Sequence, residues 1–64
     1  MSMIEVEIGY VENAVKNKVE IWFYKRLAGR WLRVQREVLT VNEREMFLNK
    51  LIRKGATLVP LGRA

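Results

Sequence analysis

The chain of 64 residues contains no cysteine, no histidine and no aspartate, and it has a single serine and a single proline. Without cysteine no disulfide or thiolate metal ligand exists, and without histidine the commonest metal ligand and acid–base group is missing. Ser2 has no histidine to activate it, and no glycine-rich phosphate loop is present. Glu5 with Glu7 and Glu43 with Glu45 have the spacing of candidate carboxylate pairs for acid–base or metal chemistry, but we expect them to be ordinary solvated glutamates. We therefore expect no enzyme, no cofactor, no metal and no small-molecule substrate.

Long hydrophobic segments are also missing. The longest uninterrupted apolar run covers residues 21–24, whereas a bilayer span needs about 20 apolar residues. Acidic Glu5 and Glu7 stand where a signal peptide would be basic. A chain of this length is shorter than a typical domain, so we expect no second independent domain. A core built from so few residues supplies about 3–5 kcal/mol of net stability. We expect one cytoplasmic domain over residues 1–64, with no membrane segment.

The charge is strongly basic and unevenly distributed. There are 12 lysines and arginines against 7 glutamates. Residues 1–15 carry three of the glutamates and no base, so the positive charge belongs to the middle and the end of the chain. A field of this sign favours polyanions, of which nucleic acid is the commonest in a cell. Abundant Glu, Lys and Arg without Asp is also typical of thermophilic proteins.

Three segments alternate apolar and polar residues with a period of two, which predicts strands with one buried face. In the first segment the alternating apolar residues are Ile4, Val6, Ile8 and Tyr10. In the second and third segments they are Val19, Ile21, Phe23, Leu32 and Val34. Residues 12–17 are mostly polar and predict a loop, and the third strand is expected over residues 30–38.

A helix is predicted after the third strand. Thr40 and Glu43 have the spacing of a capping box. The apolar residues beyond it fall on one helical stripe, namely Val41, Phe47, Leu48, Leu51 and Ile52. The helix should cover residues 41–54 and end at Gly55. Residues 57–60 can add a short strand, at a sheet edge because Pro60 has no amide hydrogen. The predicted fold class is α+β: a small three-stranded antiparallel sheet with one helix on one face, in the order β-β-β-α, and a possible fourth strand.

The register of the second hairpin decides which sheet face the helix covers. A two-residue loop at residues 28–29 pairs Phe23 with Val34 and Lys25 with Leu32. A three-residue loop would shift this pairing by one residue. We prefer the first register, because it gathers the aliphatic residues on the face that an aliphatic helix stripe would cover.

In this register the opposite face gathers aromatic and polar side chains, namely Trp22, Tyr24, Arg26, Trp31, Arg33 and Gln35. Aromatic rings stack on bases and cations neutralise phosphates. Lys25, Arg30 and Arg36 add charge nearby. The sequence therefore predicts a non-catalytic DNA- or RNA-binding protein of low sequence specificity.

Two other interpretations use the same residues. In the first, the cross-strand aromatic pairs and cation–π contacts stabilise the fold and have no role in binding. Alternatively, the Trp/Tyr face is buried in a homodimer or a hetero-oligomer, since Trp, Tyr and Arg are enriched at interface centres. Glu5 and Glu7 are expected on this face, where they would repel phosphate unless arginines neutralise them. Across a two-fold dimer they could instead meet the basic third strand.

Overall fold

The computed structural model describes residues 6–63, with side chains up to residue 62. Its elements in chain order are β1 (Val6–Val15), β2 (Lys18–Leu27), β3 (Arg30–Leu39), α1 (Val41–Arg53) and β4 (Ala56–Arg63). The α+β class is confirmed. Ile4 and Glu5, assigned above to the first strand and its outer face, lie outside the described residues.

The sheet has four strands in the order β3-β2-β1-β4. The two hairpins are antiparallel, whereas β4 runs parallel to β1. The prediction of a three-stranded antiparallel sheet is therefore wrong: the optional last strand exists, is eight residues long and makes the sheet mixed. Because α1 carries the chain across the sheet to the far edge, β4 joins β1 and not the neighbouring hairpin. Pro60 lies in this edge strand, opposite Tyr10.

The first hairpin is longer than the sequence indicated. β1 continues to Val15, which pairs with Lys18 across a two-residue turn, so the predicted loop over residues 12–17 is wrong. Glu12 pairs with Ile21 inside the ladder. The polar residues here have weak strand propensity, but pairing along the whole of β2 overrides it.

The second hairpin closes through the two-residue turn Ala28–Gly29. Both residues have positive φ, 52° and 76°, as tight hairpin turns of the mirror-image type require. Lys25 pairs with Leu32 as predicted. The register then shifts by one residue, and Phe23 pairs with Gln35 and not with Val34. Val34 is thus the extra residue of a β-bulge, which simple alternation cannot reveal.

The helix begins as the sequence predicted. The Glu43 amide donates to the Thr40 hydroxyl at 3.2 Å, and the Thr40 amide donates to the Glu43 carboxylate at 3.0 Å. This reciprocal pair lowers the pKa of Glu43, chiefly through the hydrogen bond from the Thr40 backbone. The last helical residue is Arg53 rather than Lys54, which is the C-cap, and Gly55 follows at φ 98°.

The core is small and lies under the middle of the sheet. Among the described residues the buried apolar side chains are Ile21, which is fully buried, and Phe23 and Leu48, which are nearly so. The apolar residues packed around them are Ile8, Tyr10, Val19, Leu39, Phe47, Leu51 and Leu58. The helix does not cover all the residues predicted to lie beneath it: Val6, Leu32 and Val34 stay exposed, as do Val41 and Ile52 of the helix. A helix of 13 residues is about 20 Å long, whereas the ten residues of β3 extend over about 33 Å, so the helix cannot cover this strand along its whole length.

The molecule is accordingly thin. Its principal extents are 42 × 24 × 15 Å, and its radius of gyration is 12.3 Å, against about 10.7 Å for a compact chain of this length. One sheet face carries the helix, which we call the helix side. The other has no layer over it among the described residues.

Candidate nucleic-acid interface

The uncovered face of β2 and β3 carries a group of aromatic and basic side chains. Cross-strand pairing sets Trp22 opposite Arg36, Tyr24 opposite Arg33, and Arg26 opposite Trp31. Paired residues share a sheet face, so these six form one patch. We call it the aromatic face; its members are Trp22, Tyr24, Arg26, Trp31, Arg33 and Arg36.

Arg33 lies at the centre of the aromatic face. Its guanidinium carbon is 4.1 Å from the centroid of the Trp22 ring and 5.8 Å from that of Tyr24. It also donates to the Tyr24 hydroxyl at 3.4 Å. Arg36 approaches the same Trp22 ring at 5.5 Å. These cation–π contacts hold the Arg33 guanidinium over the Trp22 ring, while the Arg33 side chain remains exposed.

Trp31 has a different environment. Arg26 lies 4.9 Å from its ring centroid, and Gly9 of β1 lies beneath it. A Cβ added to Gly9 would come within 3.0 Å of the Trp31 ring and 2.6 Å of Leu61. The absence of a side chain at Gly9 therefore lets Trp31 and Leu61 lie against the sheet. Trp31 is half-buried and contributes to packing on this face.

Two glutamates neutralise part of the positive charge. Arg26 lies 3.6 Å from Glu7, so Glu7 falls on this face as the alternation predicted. Arg36 donates to Glu20 at 2.6 Å. This hydrogen bond is the main cause of the lowered pKa of Glu20, and the Trp22 indole acts in the same direction. Of the three arginines on the face, Arg33 alone makes no ion pair within the described side chains.

The bulge changes the membership of the predicted site. Beyond Val34, Gln35 pairs with Phe23 and lies on the helix side, so its predicted place on the aromatic face is wrong. Arg36 takes that place. Lys25 and Arg30 pair with Leu32 and Leu27, which puts both on the helix side, away from the rings.

Sequence reasoning did not find two features of this site. The Arg36–Glu20 pair follows from the shifted register, and no local signal in β3 marks the shift. The packing of Trp31 over Gly9 could have been suspected, because a glycine inside an alternating strand often marks the close approach of another group.

Comparison with protein families, with curated proteins and with solved structures gives no match. The functional argument therefore rests on the residues themselves. In the part of the chain that the structure describes, no helix is long and apolar enough to cross a membrane. Over the same residues, no group of three or more His, Cys, Asp or Glu side chains gathers where it could hold a metal ion.

Proposed function

We propose that this protein is a cytoplasmic, non-catalytic nucleic-acid-binding protein that uses the aromatic face. The observation that supports this most strongly is the exposed guanidinium of Arg33 held 4.1 Å over the Trp22 ring. A planar cation presented on an aromatic ring offers a stacking surface for a base and a charge for the adjoining phosphate in one place.

The proposed binding step begins at Arg33. An unpaired base stacks on the outer plane of its guanidinium, or displaces it and stacks on Trp22 directly. Tyr24, on the same strand and two residues away, offers a second ring for the neighbouring base. Stacking of this kind contributes about 1–3 kcal/mol per base and is tolerant of sequence, in keeping with binding of low specificity.

The shape of the face favours a single strand over a duplex. Four strands span about 14 Å across their three spacings, which exceeds the width of about 12 Å of the DNA major groove. A broad sheet cannot enter that groove, whereas a single-stranded nucleic acid can lie across the rings of the aromatic face. We therefore propose single-stranded DNA or RNA as the ligand.

The glutamates set the strength of binding. Glu7 and Glu20 compete with phosphate for Arg26 and Arg36, so removal of one carboxylate should free its arginine. We expect Glu20→Gln to tighten binding and Glu7→Gln to do so less, because the Arg26–Glu7 contact is longer, at 3.6 Å.

The alternative function is binding of a partner protein to this face. One reason to expect it no longer applies. The sequence suggested that Glu7 could meet the basic third strand of a second subunit. Glu7 instead contacts Arg26 of its own chain. The ring of Trp22 is also approached by two guanidinium groups, which makes the patch more polar than its aromatic content implies.

The test is a titration of the full chain with labelled oligo(dT), oligo(rU) and a duplex of equal length, followed by fluorescence anisotropy at two salt concentrations. We expect Trp22→Ala to raise the Kd about tenfold or more, from the lost stacking. Arg33→Ala should in addition reduce the slope of the logarithm of the binding constant against the logarithm of the salt concentration by about 0.7.

Arg53→Ala is the matched control, because it removes the same charge from the helix and leaves the aromatic face intact. It should change binding much less than Arg33→Ala. In Trp31→Phe the remaining Trp22 reports binding through its emission. Wild-type affinity in both Trp22→Ala and Arg33→Ala, with circular dichroism showing an intact fold, would refute the proposal, as would tighter binding of the duplex.

A further inference from the structure

The helix side of the sheet has an uncovered apolar strip along β3. Leu27, Leu32 and Val34 are 60%, 45% and 60% exposed. Leu27 and Leu32 belong to the helix side by their pairing, and Val34 lines a cleft there with Phe47 and Leu51 of the helix. This cleft has a volume of about 230 Å³. Exposed apolar side chains beside an open cleft are typical of a surface that another chain covers.

The backbone beside this strip is also unpaired on one side. Within residues 6–63, β3 is an edge strand of ten residues that pairs only with β2. An open edge of this length is a template for pairing with another strand. The opposite edge is protected, because β4 contains Pro60 and pairs irregularly beyond Tyr10.

The residues of β3 complement a second copy of the same strand. If two β3 strands pair antiparallel about an axis between Arg33 and Val34, the two bulges meet at the axis. Arg30 then lies opposite Glu37 of the second copy, and Glu37 opposite its Arg30. The two residues share the helix side, since Arg30 pairs with Leu27 and Glu37 with Ile21. In a regular strand, residues seven apart lie on opposite faces; here the bulge at Val34 brings them to the same face.

The charges of Arg30 and Glu37 are available to pair with a second copy of the chain. Within the described side chains, neither Arg30 nor Glu37 forms an ion pair with an opposite charge. Glu37 accepts only from the neighbouring Gln35. On the aromatic face the same register sets Trp31 opposite Arg36 of the second copy, which is another favourable cation–π combination.

We infer that the chain forms a two-fold dimer through antiparallel pairing of its β3 strands, with Leu32 and Val34 buried at the interface. The two sheets then join into one sheet of eight strands. The two aromatic faces lie side by side on the same surface and remain open. A self-complementary patch of this kind is the basis of two-fold dimers, the commonest oligomers. This inference does not depend on the proposed nucleic-acid binding.

The test is the mass of the full chain in solution without nucleic acid, by sedimentation velocity from low micromolar to millimolar concentration. The expected result is reversible association from the monomer of 7.6 kDa to twice that mass. Arg30→Glu and Glu37→Arg should each raise the dimer Kd about tenfold or more through like-charge contact. The double variant Arg30→Glu/Glu37→Arg should restore dimerisation.

Two further variants keep the test decisive. Val34→Lys alters an exposed residue, so the monomer should stay folded while the dimer is lost. Arg53→Glu makes the same charge change as Arg30→Glu outside β3 and should leave the dimer intact. A monomer at every concentration would overturn the inference. So would a dimer that persists in Arg30→Glu, Glu37→Arg and Val34→Lys, because its interface would then lie elsewhere.

Discussion

The ion pair between Glu12 of β1 and Arg44 of α1 should contribute a large share of the stability of this small domain. Arg44 donates through Nε and Nη2 to the two carboxylate oxygens of Glu12, each at 2.6 Å. The side chains are only 33% and 29% exposed, so water screens the pair incompletely. It joins the first turns of the helix to the sheet on which the helix lies.

The size of the effect follows from this geometry. Hydrogen bonds to charged groups contribute about 1.5–3 kcal/mol, and exposed ion pairs contribute about 0.2–1 kcal/mol. A partly covered, two-pronged pair should therefore show a coupling of about 1–2 kcal/mol. For a domain of this length that corresponds to about 5–15 °C in Tm.

The assay is a double-mutant cycle of Glu12→Gln, Arg44→Met and the double variant, with urea unfolding followed by circular dichroism. Arg44→Met keeps most of the apolar stem, so the cycle isolates the charged contact. Additive single effects at neutral pH, to within about 0.3 kcal/mol, would refute the reasoning.

The coupling should also depend on pH. The hydrogen bond from Arg44 lowers the pKa of Glu12 from its ordinary value of 4.5. A carboxylate with a depressed pKa stabilises the fold fully above its unfolded-state pKa, and this contribution is lost as the pH falls through the folded-state value. We expect the coupling to be constant from pH 7 down to about pH 5 and to vanish in acid. A coupling that persists after Glu12 is protonated would contradict the electrostatic origin.

Three further substitutions test the fold. Gly9→Ala should lower the free energy of unfolding by about 1–3 kcal/mol in urea titrations, because its Cβ would lie 3.0 Å from the Trp31 ring; an unchanged midpoint would contradict the packing of Trp31 on this glycine. Ala28→Asn should raise Tm by a few degrees, since Ala28 has φ 52° and asparagine tolerates this conformation better; a lower Tm would count against it. Thr40→Ala should cost about 1 kcal/mol in thermal unfolding, and no loss would mean that the cap is dispensable.

Features set by local chemistry could be predicted from the sequence. The capping box at Thr40 depends on two side chains three residues apart, and the turn at Ala28–Gly29 on a glycine between two alternating segments. Alternation likewise placed Ile21 and Phe23 in the core and Trp22 and Tyr24 on the other face. Each of these signals spans only a few residues.

Features set by distant contacts could not be predicted in the same way. The bulge at Val34 depends on how β3 adjusts to β2, and it decides whether Gln35 or Arg36 joins the aromatic face. The parallel pairing of β4 with β1 depends on where the helix delivers the chain. The extension of β1 through Glu12 is stabilised by Arg44, 32 residues later. Such contacts leave no periodic trace in the sequence.

The bulge also determines how the length of β3 can change in evolution. Val34 has no partner of its own in the ladder, because Tyr24 pairs with Arg33 and Phe23 with Gln35. Deletion of Val34 would therefore leave every cross-strand pair in place and straighten the strand. A deletion elsewhere in β3 would instead turn the residues that follow it to the opposite face. Among homologous chains, a one-residue gap at Val34 is thus compatible with the same arrangement of rings and arginines.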